Sequence, residues 1–65
     1  MSESLFLRYA EARIAFDADP SPRHEADVLA AFVAWVRDYA PDVADRATIL
    51  FCRKLADDVA RLRAR

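Results

Sequence analysis

Apolar residues recur along this chain at intervals of three and four, and the intervals break at proline. Leu5, Tyr9, Ala12 and Phe16 lie four, three and four apart, the recurrence of one face of an α-helix. A second apolar stripe, Leu7, Ala10 and Ile14 with Phe6 beside it, runs along the same segment, leaving Arg8, Glu11 and Ala15 as its wet edge. Val28, Leu29, Phe32, Trp35, Val36 and Tyr39 form the next face, opposed by Arg23, Asp27, Ala30, Ala34, Arg37 and Asp38. Ala44, Thr48, Phe51, Cys52, Leu55, Val59 and Leu62 form a third. The pattern predicts helices over about 4–17, 22–39 and 42–63, in a single domain spanning 1–65.

The punctuation agrees with these spans. The chain has no glycine, so glycine-dependent turns and helix caps are absent and proline does the separating. Pro20 and Pro22 push Asp19 and Ser21 toward extended backbone. Ser21 then suits the N-cap of the second helix and Pro22 its first position, where a missing N–H costs nothing. Glu25 sits where the helix dipole favours negative charge. Pro41 opens the third helix, with Ala40 or Asp42 as its cap; Asp42 and Asp45 favour its N-terminus, and Arg61, Arg63 and Arg65 its C-terminal end. The fold class is all-α: a small three-helix bundle, or a helical hairpin completed by dimerisation.

Size makes the second solution worth weighing. A domain of 65 residues buries a modest share of its surface. A lone Cys52 forms no intramolecular disulfide, and one His with one Cys cannot complete a structural zinc site. Unusually good helix packing or a homodimer remains as the source of extra stability.

Charge and chemistry narrow the function by exclusion. Ten basic and eleven acidic residues leave a net charge of -1, with no general attraction to nucleic acid or anionic lipid. The longest apolar run, Val28 to Val36, is nine residues, short of the roughly 20 needed to span a bilayer. No signal peptide is evident, and a cytoplasmic location is expected. Abundant Arg, Asp and Ala fit a GC-rich coding sequence of a bacterium, phage or plasmid. Phosphate-binding loops need glycine. His24, beside Glu25, reads as a polar first-turn residue and Cys52 as a small core hydrophobe. Asp57 and Asp58 point about 100° apart on a helix and share no site. Asp42 and Asp45 read as helix-end charges, and Asp17 and Asp19 lack calcium-loop spacing. No enzyme, metal site or cofactor is expected.

Two binding readings remain. A helix-turn-helix would place the start of the third helix against base edges, but that stretch carries Asp42 and Asp45. Arg46, Arg53, Lys54 and Arg61 are the candidate nucleic-acid-binding residues, although Arg53–Asp57 and Asp57–Arg61 are spaced to pair with each other. The preferred reading starts from excess apolar surface: the second stripe of the first helix, Val33, and Val43, Ala47 and Leu50 on the far side of the third. Contiguous exposed apolar surface on a small protein marks an interface. Phe6, Leu7, Ala10, Ile14, Val43 and Leu50 are the candidate protein-interface residues. Trp35 and Tyr39 read as core. The expectation is a small protein-binding regulator, an adaptor or inhibitor, acting on another protein and itself homodimeric.

Overall fold

The computed structural model describes residues 3–64. They form α1 (Glu3–Ala18), α2 (Pro22–Tyr39), a 3₁₀ turn (Pro41–Val43) and α3 (Ala44–Arg63), with no strand among the described residues. The chain is all-helical, as its periodicity predicts.

The α1–α2 link is held by local hydrogen bonds. The Asp19 amide donates to the Ala15 carbonyl at 2.9 Å and closes α1. The Ser21 amide turns back to the Asp19 carbonyl at 2.8 Å, a three-residue turn for which the fixed φ of Pro20 is suited. Ser21 is extended (φ -76°, ψ 161°), and its hydroxyl accepts from the His24 amide, the N-cap arrangement its position predicts. His24 reinforces the link, with Nδ1 donating to the Asp19 carbonyl at 2.7 Å.

The start of the third helix differs from expectation. Residues 41–43 form a tight 3₁₀ turn, in which the Val43 amide donates to the Ala40 carbonyl at 3.2 Å, and α3 proper begins at Ala44. Neither Ala40 nor Asp42 caps α3; Val43 occupies the N-cap position without a side-chain bond. Pro41 has no N–H to give, and Ala40 at φ -143° lies outside helical geometry, so the chain re-enters helix through the tighter turn.

The three helices run up, down and up. Tyr9 meets Phe32 and Phe6 meets Trp35 across α1 and α2. Phe51 stacks on Phe32 at 3.9 Å between α3 and α2. At the other end of the same antiparallel pair, Arg63 donates to Glu25 and to the Pro20 carbonyl. The core is Phe16, Val28 and Leu55, one residue from each helix, with Tyr9, Ala12, Leu29, Phe51, Val59 and Leu62 packed around it. Ala31, Val36 and Ala44 are also buried.

The bundle is spread. Its extents are 36 × 22 × 13 Å, wider in one lateral direction than in the other. Its 4651 Å² of accessible surface exceeds the roughly 4,200 Å² expected of a compact monomer of this mass. The extra width opens α1 from α3, because both pack mainly on α2. No helix among the described residues is long and apolar enough to cross a membrane.

Candidate functional site

At one end the spread leaves aromatic residues half-covered. Phe6 packs on Trp35 at 5.2 Å, Trp35 on Tyr9 at 5.9 Å and on Tyr39 at 5.8 Å, and Tyr9 edges onto Phe51 at 6.0 Å. With Phe32 these make six linked aromatic side chains, and none of the six is buried. Only Phe16, at the other end, is enclosed. Tyr39 is 67 % exposed, so its expected core role is overturned. α1 pairs Phe6 with Trp35, and Tyr39, one helical turn further along α2, stacks on Trp35.

The structure divides the six candidate interface residues into two groups. Leu7 and Ile14 are 54 % and 69 % exposed on the side of α1 turned away from the core, with half-buried Ala10 between them. Val43 is exposed and Leu50 is 56 % exposed; they lie with half-buried Ala47 along the edge of α3 that leads from Phe51. Exposed Phe6 sits between the groups, touching Trp35 while adjoining the Leu7–Ile14 stripe. Val33, read as surplus, is half-buried.

Below the aromatic end, α1 and α3 are joined by charge. Asp58 is 1 % exposed. Its carboxylate accepts from Arg13 at 2.7 Å and from Arg61 at 2.9 Å, with Lys54 Nζ at 3.4 Å. Arg13 also reaches Asp17 at 3.2 Å and lies over the Phe16 ring at 5.5 Å. The Arg13 hydrogen bond lowers the Asp58 pKa; burial opposes this, and the Arg61 bond and the charges of Arg13 and Lys54 reinforce it. Burial also opposes charge on Arg13, but the Asp58 bond and the two carboxylates outweigh it and its pKa rises. No buried side-chain polar atom among the described residues lacks a partner.

Sequence reasoning missed this cluster and paired the wrong residues. Arg61 bonds Asp58, not Asp57, and among the described residues Arg53 and Asp57 make no ion pair. Buried Asp58 cannot be left uncompensated, whereas exposed Asp57 is solvated. The signal was present: Asp58 falls three residues after Leu55 and four before Leu62, inside an apolar stripe, and Arg13 falls four after Tyr9 and three before Phe16. A single charge on each of two core stripes points to one ion pair. All four candidate nucleic-acid contacts are exposed, and of them Lys54 and Arg61 also reach Asp58.

The remaining chemistry is sparse. Cys52 is exposed, contrary to its core assignment. Phe51 and Leu55 carry the packing of α3, and Cys52 falls one residue around the helix from that narrow edge. His24 is used in the α1–α2 link. A shallow groove of about 470 Å³ between α1 and α2 is lined by alanines, including Ala12, Ala31 and Ala34, together with Arg8, Glu11 and Asp27. It is lined by no Ser, Thr, Cys, His or Lys. Among the described residues no cluster of His, Cys, Asp or Glu is arranged to hold a metal ion. Comparison with protein-family models, with curated proteins and with solved structures finds no match to this chain.

Proposed function

We propose that this chain is a small, non-enzymatic protein-binding regulator, an adaptor or inhibitor that docks on another protein through the outer face of α1. The observation that carries the reading is the exposure of Leu7 and Ile14, two large aliphatic side chains two helical turns apart on a face that the core does not use. Flanked by Phe6 and bridged by Ala10, they have the spacing with which an amphipathic helix fills a hydrophobic groove. Isolated exposed apolar residues are normal on a protein surface; a stripe of this spacing, on a helix whose opposite side is already packed, calls for a second surface.

Capture of partners by the tagged chain, with nuclease present and with the Leu7→Asp/Ile14→Asp variant in parallel, tests this. A stoichiometric protein that survives nuclease and is lost from the variant is the expected result. Recovery that depends on nucleic acid and on Arg46 and Arg53 would sink the reading.

A further inference from the structure

We infer that the aromatic end is the seat of a second copy of this chain, in a symmetric dimer that buries Trp35 and Tyr39 between two copies and leaves both α1 outer stripes free. The inference rests on reading exposed apolar surface as interface, but it uses a surface that shares only Phe6 with the one proposed for the partner.

Area is the first argument. Phe6, Tyr39, Val43 and Leu50 are each about half exposed or more, and Tyr9, Phe32, Trp35 and Phe51 are partly exposed between them. With full aromatic side chains of 150–250 Å², these fractions amount to roughly 600 Å² per copy. Two copies would bury about 1,200 Å², the lower bound for stable, specific association. Tyr and Trp are also the residues that dominate such interfaces.

The second argument is the nature of the face. Its contacts are between rings, and the charged residues beside it, Asp38, Asp42 and Arg46, are exposed at its rim. An aromatic and aliphatic patch can meet the same patch of an identical copy across a two-fold axis, with the charged rim left in water. The molecule also exposes more surface than a closed monomer of its mass. A second copy laid over this end supplies the layer that the three helices lack.

Sedimentation of the full chain over roughly 1–100 μM, with Trp35 emission recorded on the same samples, tests the inference. A dimer is expected, with Trp35 emission moving to shorter wavelength as it forms. Tyr39→Asp and Leu50→Asp are each expected to weaken association at least tenfold, while Leu7→Asp/Ile14→Asp leaves it unchanged. If Tyr39→Asp or Leu50→Asp loses its helical signal, the wild-type Trp35 shift decides: a shift that tracks association supports the dimer, and unchanged emission overturns it. A wild-type monomer throughout this range overturns the inference. It leaves the partner proposal standing if Leu7 and Ile14 still govern capture. A dimer broken by Leu7→Asp/Ile14→Asp and not by Leu50→Asp overturns the assignment of both surfaces.

Discussion

The two ends of this bundle are built from similar residues and reach different degrees of closure. At one end Phe16, Val28 and Leu55 meet from three helices and are enclosed, with Arg13 and Asp58 tying α1 to α3 beside them. At the other end Phe6, Trp35, Tyr39, Val43 and Leu50 supply at least as much apolar bulk and remain partly or largely exposed. Hydrophobicity therefore does not distinguish them. What distinguishes them is the kind of tie between α1 and α3, an ion pair at one end and the Tyr9–Phe51 ring edge at the other. Where a buried carboxylate draws Arg13 across the gap the bundle is closed, and where only ring edges meet it is spread.

The largest effect should come from the closed end. Phe16→Ala removes the one fully enclosed aromatic ring and the surface on which Arg13 lies. A loss of about 3–5 kcal/mol is expected. A domain of this length has a total stability on the order of 3–10 kcal/mol, so loss of cooperative thermal unfolding by circular dichroism is the expected readout. A modest fall in melting temperature would show that the core is less important than its burial implies.

The ion pair comes next. Asp58→Asn keeps the shape of the side chain but removes the nearer of Arg13's two counter-charges at a site where only about a quarter of its side chain reaches water. A cost of about 2–4 kcal/mol is expected by urea denaturation, below the upper range for a fully buried pair because Arg13 keeps Asp17 and some solvent. Acid should act through the same group. The folded Asp58 pKa lies below its ordinary value of 3.8, so below about pH 4 the unfolded chain binds the proton more readily than the folded one. The stabilisation is complete above that point and is lost as pH falls further, through the folded pKa. Denaturation curves from pH 6 downward should show this slope in the wild type and a shallower one in Asp58→Asn; equal slopes would remove Asp58 as the linking group.

How far the sequence reveals each end follows from the same contrast. Helix spans, the Ser21 cap and the core faces are local matters, and spacing plus proline determine them. The exposure of Leu7 and Ile14 was legible because the first helix has one more apolar stripe than a three-helix core can use. Tyr39 and Cys52 were misplaced because periodicity gives a direction around a helix, not the distance to which a neighbouring helix extends. The Asp58–Arg13 pair was missed because i,i+4 spacing favours pairs within one helix, whereas desolvation selects the partner that compensates the buried charge, 45 residues away.

Ser21→Ala tests the link that feeds the closed end. Its hydroxyl accepts from the His24 amide at 3.3 Å, a long bond, so a cost of about 1 kcal/mol or less is expected. For a domain this small, that is a fall of about 4–8 °C in melting temperature. A fall matching that of Asp58→Asn would mean that the α1–α2 link, not the ionic tie, governs closure.

The smallest effect on the folded chain should come from the open end, and that smallness is what sharpens the contrast. Tyr39→Ser removes a ring that is two-thirds exposed and stacked only on Trp35. In dilute solution, where copies are separate, the change should lie within about 0.5 kcal/mol. At high concentration the wild type gains stability by mass action from association and the variant does not. The two melting temperatures should therefore coincide when dilute and diverge when concentrated. A variant equally destabilised at every concentration would place Tyr39 in the monomer's own packing, and the open end would then be a loosely built part of the core.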